Sequence, residues 1–270
     1  MKIKFKSFSS GSCGNCYFIG IEEDSAPTHG ILIDAGVSPR RLKKELLQEG
    51  LELSCIDAIL ITHDHFDHIR SLGSYCKHLQ KPVWASDTLM KGLSSHFVTG
   101  EYLGPCRRIL SEGWNDVCDG IRVRYFVVPH DATQTVGFAI LAGGHRYVHI
   151  TDCGRMTPEA LSWCSQADTI TLESNYDPDM LSNGPYPKEL QDRIRNGHGH
   201  LSNGECAAAL AAVRHPGLGR VFLCHLSEHN NTPQLALKAA TGVFSEGGDV
   251  PGITPLPRQS ASPMFCLAED

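Results

Sequence analysis

The sequence predicts an α/β protein in which two sheets pack together with helices on the outside. Three observations carry that expectation. Short runs rich in Ile, Val, Leu and Phe recur at strand length, helical segments fall between several of them, and the strands cluster at both ends of the chain.

Taken in order, residues 3–8, 17–21, 31–33, 58–61, 83–85, 121–128, 136–141, 147–150, 169–172 and 221–224 read as strands, with a last strand near 263–267. The clearest helix has Ser38 as N-cap and Pro39 at its first position, runs through Leu42, Leu46 and Leu47, and stops at Gly50. Its Lys and Arg residues are expected to face water. A second helix opens with the capping box Ser202-Asn203-Gly204-Glu205 ahead of 206–213. Further helices are expected over 70–79, 157–165, 188–195 and 233–241, and the Gly/Pro-rich stretch 247–257 reads as a loop. No repeat, low-complexity block or linker divides the chain, so residues 1–270 are expected to form a single domain.

Composition narrows the class. With 270 residues, 41% of them hydrophobic and 20% charged, the chain can bury a core without disulfides. Its longest apolar run, 207–213, is far short of the ~20 residues a membrane-spanning helix needs. The opening residues alternate Lys with Ile and Phe as a strand does, without the apolar block of a secretory signal, so a cytoplasmic location is expected. Eleven scattered cysteines fit reduced thiols, and the pair Cys13 and Cys16 lacks the second pair that a four-thiolate zinc site requires. A formal charge of −6 argues against coating nucleic acid by diffuse electrostatics, yet leaves room for a small phosphate-reading cleft.

The chemistry centres on Thr62-His63-Asp64-His65-Phe66-Asp67-His68, directly after the strand 58–61. Imidazoles suit zinc, iron or manganese, and carboxylates suit the harder of these. A tight turn can aim His63 and His65 at one ion and Asp67 and His68 at another; two ions roughly 3.5–4 Å apart activate a shared water at neutral pH. Such a site needs more ligands than one loop supplies. His130, Asp152 and His225 each follow the end of another predicted strand. The inferred set is therefore His63, His65 and His130 on one metal and Asp67, His68 and His225 on the other, with Asp152 bridging. His149 lies within a strand and reads as packed.

Several segments resemble the metallo-β-lactamase superfamily, most of all its YycJ/WalJ-like bacterial group. They are the opening loop from Ser10 to Asn15, Ile33-Asp34-Ala35-Gly36, the His63–His68 motif, Pro129-His130-Asp131-Ala132, Thr151-Asp152-Cys153-Gly154, Glu173-Ser174-Asn175, Gly199-His200-Leu201-Ser202-Asn203 and His225-Leu226-Ser227. The resemblance covers nearly the whole chain and implies a four-layer αββα sandwich, with a dinuclear site at one edge and the same ligand set. It also implies a hydrolase domain with nuclease activity, for which 5′-to-3′ DNA exonuclease is the usual assignment. The chain departs from the group's pattern at Cys13, Tyr176 and His198.

Further roles follow. His200 sits two residues before the N-cap Ser202, where unpaired N–H groups favour a phosphate oxygen, and an imidazole there can protonate the leaving oxygen; capping or packing is the other reading. Asp67 and His200 are the candidate catalytic residues, and Ser10, Ser12, His200, Ser202 and Asn203 the candidate substrate contacts. The loop at Ser10–Ser12 can equally be a plain turn. Asp34 is expected to hold a ligand histidine in place without touching metal. His229, Asn230 and Asn231, just past His225, can line the cleft, although Asn230-Asn231-Thr232 ahead of Pro233 reads more readily as the start of a helix.

The leading expectation is a phosphodiesterase or nuclease with two divalent ions, Zn or Mn with Fe possible, whose bridging hydroxide attacks phosphorus. Its partner is nucleic acid, a DNA strand end or single strand, or a small phosphodiester. A second reading keeps the site and changes the bond to an ester, thioester or lactone, as in glyoxalase II-like enzymes. A third is a non-catalytic metal-binding protein, which the histidine and carboxylate ligand set disfavours.

Overall fold

The computed structural model describes residues 1–23, 26–244 and 250–269. The first sheet begins with β1 (Lys2–Gly11), β2 (Gly14–Glu23) and β3 (Ala26–Ile33), and continues through β4 (Ile56–Leu60), β5 (Val83–Ala85) and β6 (Arg107–Ile109). The second contains β7 (Asn115–Cys118), β8 (Ile121–Val128), β9 (Thr135–Ala142), β10 (His145–Ile150), β11 (Thr169–Glu173), β12 (Arg220–Cys224) and β13 (Gly252–Pro255). The last strand, β14 (Phe265–Glu269), returns to the first sheet beside β1, so the spatial orders are β14-β1-β2-β3-β4-β5-β6 and β13-β12-β11-β10-β9-β8-β7.

Each sheet is antiparallel through its hairpins and parallel where helices make the crossovers: β3 to β6 in the first, β10 to β13 in the second. The crossover helices are α1 (Pro39–Gln48), α2 (Phe66–Ile69), α3 (Leu72–Leu79), α4 (Asp87–Ser95) and α5 (Gly100–Leu103) on the first half. On the second they are α6 (Pro158–Cys164), α7 (Pro178–Asn183), α8 (Lys188–Arg195), α9 (Asn203–Val213) and α10 (Pro233–Gly242). Three buried clusters hold the layers. Leu42 and Leu46 of α1, Tyr75 of α3 and Leu89 and Leu93 of α4 cover the outer face of the first sheet. Leu210 and Val213 of α9 and Ala236 and Ala240 of α10 cover the second. Between the sheets, Phe5 stacks on Phe222 at 4.3 Å between ring centroids, joining β1 to β12. The result is the expected αββα arrangement of two sheets and outer helices.

The helix signals act as read. Ser38 Oγ accepts from Arg41 N, and both halves of the capping box at Ser202 form. Leu47 is an exception within α1, standing exposed while Leu42 and Leu46 are buried. The N-cap of α6 gives a stability test: Thr157 Oγ1 accepts from Ala160 N at 3.1 Å, so Thr157→Ala should cost about 1 kcal/mol in denaturant unfolding and leave hydrolysis unchanged.

Four differences from the sequence expectation have physical causes. Edge strands β6 and β7 carry Arg107, Arg108, Asn115 and Asp116, so no apolar run marks them. The stretch 247–257 does not remain a loop: β13 forms within it by pairing with β12, while 247–249 lie outside the described residues. The motif after β4 is not all loop either, since Phe66–Ile69 makes one helical turn, α2, entered from His65. Helices α4, α5 and α7 were not expected; α4 announces itself only through Ser86 and the spacing of Leu89, Met90 and Leu93.

Parallel strands that leave their sheets at one edge deliver their next residues to one place. β3 delivers Asp34, β4 delivers His63, β10 delivers Asp152 and β12 delivers His225, while β11 ends on Glu173 itself. β8 runs to the same edge and hands over to His130.

Candidate active site

Three of the residues delivered there have a left-handed backbone: Asp34, Asp152 and His225, with φ of 62°, 49° and 53°. Only one other described non-glycine residue, Gln80, has positive φ. L-residues hold this conformation at a cost on the order of 1 kcal/mol each, and such strain concentrates where function over-determines geometry. Here it turns each side chain from the strand axis into the shared edge. Gly36 serves the same convergence: a Cβ on it would stand 1.8 Å from the Asp67 carbonyl oxygen, so only glycine lets the loop after β3 pass against α2.

The side chains meet in two triads. Ligand atoms of His63, His65 and His130 lie within 4.8 Å of one another, as do those of Asp67, His68 and His225. Asp152 stands between them. Its Oδ2 is 3.1 Å from His68 Nε2, and its Oδ1 is 3.3 Å from His225 Nδ1 and 3.7 Å from His130 Nε2.

Each histidine has one nitrogen tied and the other turned to the common space. His68 Nδ1 donates to Asp34 Oδ2 at 2.7 Å. His63 Nδ1 donates to the Thr62 hydroxyl at 3.0 Å, and that hydroxyl donates to Asp34. His130 Nδ1 donates to the Gly199 carbonyl at 2.7 Å, His65 Nε2 to the Asp131 carbonyl at 3.1 Å and His225 Nδ1 to Glu173 Oε1 at 3.0 Å. The free nitrogens His63 Nε2 and His225 Nε2 are buried without a hydrogen-bond partner among the described residues. A buried ring nitrogen without a hydrogen-bond partner is costly in a protein interior, and its lone pair, once free of any proton, suits a cation. The donor set therefore fits divalent metal.

Electrostatics point the same way. Asp34, Asp152 and Glu173 are buried, and no Lys or Arg pairs with them or with Asp67 among the described residues. Burial works against charge on His68, but Asp34, Asp67 and Asp152 outweigh it and hold that imidazole well above its ordinary range. His225 is likewise pushed up to about 10, by Asp152, Asp67 and Glu173 against the effect of burial. His63 goes the other way, kept neutral by burial and by the neighbouring His68. Protons on His68 and His225 answer carboxylate charge that a divalent cation answers on binding, with release of those protons.

Beside this cluster lies a cleft of about 250 Å³, lined by Ser12, His65, His130, Asn175, His200 and Arg193 among others. His200 reaches it with Nδ1 bound to Glu173 Oε1 at 2.8 Å, and Glu173 and Asp152 raise its proton affinity against the opposing effect of burial. Ser12 stands on the rim. The other predicted substrate contacts do different work. Ser10 is fully buried, its hydroxyl within 2.9 Å of Tyr17 Oη and accepting from His225 N at 2.9 Å, so it shapes the His225 turn and cannot meet substrate. Asn203 is also buried, its amide shared with Ser174 and Asn231, and Ser202 Oγ is spent on Glu205 in the capping box. His149 is packed against Tyr17 and Tyr147, as its strand position implied. Cys13 is exposed and Cys16 buried, both free.

Glu173 was missed as a site residue. Its Oε1 receives His200 and His225, and its Oε2 receives the backbone N–H groups of Cys153 (2.9 Å) and Leu201 (3.1 Å). The signal was a carboxylate closing a buried strand. Asn15 was missed as well; its Nδ2 donates to Asp67 Oδ2 at 3.0 Å and stands 2.8 Å from His68 Nε2. Asp34 offers the cleanest test of this support: Asp34→Ala frees both His68 and Thr62, and metal affinity measured by chelator competition should fall 10–100-fold.

Two facing sheets with imidazoles and carboxylates gathered at one edge define a hydrolase that works with bound divalent metal. Within that class the chain belongs to the family described as the Beta-lactamase superfamily domain, whose model matches residues 29–226. It is 31% identical over 248 residues to Exodeoxyribonuclease YycJ of Bacillus anthracis, covering 92% of this chain and 91% of that one. It is 28% identical over 233 residues to Exodeoxyribonuclease WalJ of Streptococcus pneumoniae, covering 86% and 85%. The fold is shared with zinc-bound PqqB of Methylobacterium extorquens, at a TM-score of 0.68 and 20% identity over 96% of this chain and 99% of that one. No helix among the described residues is long and apolar enough to cross a membrane.

Proposed function

We propose that the protein is a cytoplasmic phosphodiesterase, a 5′-to-3′ DNA exonuclease, acting as one domain over residues 1–270. The observation that carries the reading is the meeting of two ligand triads at one carboxylate, Asp152, beside a cleft of about 250 Å³. Exodeoxyribonuclease relatives at 31% and 28% identity support the choice of DNA.

In this reading His63, His65 and His130 would hold one divalent ion, zinc or manganese, and Asp67, His68 and His225 a second, with Asp152 available to both. Bound there, such a pair would supply Lewis-acid activation of water and charge neutralisation at phosphorus. Asp34, Thr62, Glu173 and Asn15 keep the ligands aimed, so little reorganisation is required as charge develops. His200, its Nδ1 fixed by Glu173, offers its other nitrogen to the cleft and passes a proton to the departing oxygen. Arg193 at the cleft wall, paired with Asp131, provides a guanidinium within reach of a backbone phosphate.

The test is an assay of metal-loaded protein, with Asp152→Ala as control, on 5′-phosphorylated single- and double-stranded DNA, RNA, a small phosphodiester and a thioester. Release of nucleotides from the 5′ end of DNA by the wild type alone is the expected result. Preference for the thioester would move the assignment to carbonyl chemistry, and equal inertness of both proteins under several divalent metals would refute it.

A further inference from the structure

We propose that the protein carries a separate zinc site, formed by His29, Asp57 and Cys118 at the end of the sandwich away from the hydrolytic cleft. The three residues come from three strands. His29 is on β3 and Asp57 on β4 of the first sheet, and Cys118 closes β7 of the second. Their ligand atoms nevertheless lie within 4.8 Å of one another, with His29 Nδ1 3.2 Å from Asp57 Oδ2.

Distance separates this cluster from the catalytic one. Asp57 lies six positions before His63 along β4 and its exit, which at ~3.3 Å per residue is roughly 20 Å. No residue is shared between the two.

The donor chemistry selects the ion. One imidazole nitrogen, one carboxylate oxygen and one thiolate sulfur form a borderline-soft set that suits zinc and does not suit magnesium or calcium, which take oxygen ligands. All three side chains are partly buried, enough to limit competition from bulk water while leaving a path for the ion. Glu23 and Asp119 border the same surface depression and can complete four-coordination with a carboxylate oxygen.

Its position gives the site a role. β7 is a four-residue edge strand carrying Asn115 and Asp116, tied to its own sheet by the short pairing with β8. An ion gripped by β3, β4 and β7 cross-links the two sheets at the end remote from the active site. Because such a ligand set exists only in the folded chain, binding stabilises the fold in proportion to metal occupancy.

Thiolate ligation separates this site from the hydrolytic one, whose proposed ligands include no cysteine. Full-length protein stripped with chelator and titrated with Co²⁺ should develop near-ultraviolet thiolate-to-cobalt absorption that rises to a plateau as the site fills. The band should persist in Asp152→Ala and disappear in Cys118→Ser, with His29→Gln weakening cobalt binding at the same site. Cys118→Ser should keep wild-type diester hydrolysis. Zinc should raise the Tm of Asp152→Ala more than that of the Asp152→Ala/Cys118→Ser double variant. Absence of the band in the wild type, its survival in Cys118→Ser, or equal zinc-induced Tm shifts in those two variants would overturn the proposal. The band is read in a variant without the hydrolytic carboxylate, so failure of the nuclease assay leaves this test intact.

Discussion

Asp152→Asn should abolish hydrolysis of any phosphodiester the enzyme accepts, lowering kcat/KM by more than about 10³-fold, equivalent to roughly 4 kcal/mol of transition-state stabilisation. The substitution keeps the shape of the side chain and removes its charge. That charge faces His68 at 3.1 Å, His225 at 3.3 Å, His200 at 3.5 Å and His130 at 3.7 Å, so it belongs to both triads and to the proposed proton donor together. An amide cannot replace it, because it carries no charge to hold a cation and its NH₂ group would face the Nδ1–H groups of His225 and His200 or the cation itself. Far-ultraviolet circular dichroism should show the fold retained. A variant with near-wild-type turnover would remove Asp152 from the catalytic account.

Glu173→Gln should reduce turnover by 10–100-fold, the usual consequence of loosening the partners of metal ligands. Glu173 is an acceptor four times over: His200 and His225 on one oxygen, Cys153 N and Leu201 N on the other. Glutamine offers one acceptor and one donor, so in either orientation its NH₂ meets a pair of N–H groups. Glu173→Ala should be worse for the fold, orphaning two buried backbone N–H groups at about 1–3 kcal/mol each. Chemical unfolding of both variants, read beside kcat, separates lost positioning from lost stability. Full activity in Glu173→Gln would mean that His200 and His225 hold their places without it.

Much of this centre was legible before folding. Three histidines and an aspartate packed into His63–His68 exceed what composition produces, and His130, Asp152 and His225 stand where strands end, the positions that an α/β edge collects. Glu173 obeys the same rule. It directly follows the predicted strand 169–172 and escaped because a lone glutamate carries no spacing pattern. Ser10 and Asn203 show the opposite failure. A hydroxyl in a Gly/Ser loop and an amide at a helix start look made for anions, yet their partners are His225, 215 positions away from Ser10, and Asn231, 28 from Asn203. Pairings across such separations leave no local trace. The fold reads similarly: buried parallel strands declare themselves by apolar runs, whereas edge strands β6, β7 and β13 depend on a neighbour for their identity.

Crystals equilibrated with zinc or manganese and measured at the metal absorption edge address the paired-cation centre most directly. The account predicts two anomalous peaks at the sheet edge, one bonded to His63, His65 and His130, the other to Asp67, His68 and His225, with Asp152 touching both. A single peak, or none with these imidazoles turned away from one another, would contradict it.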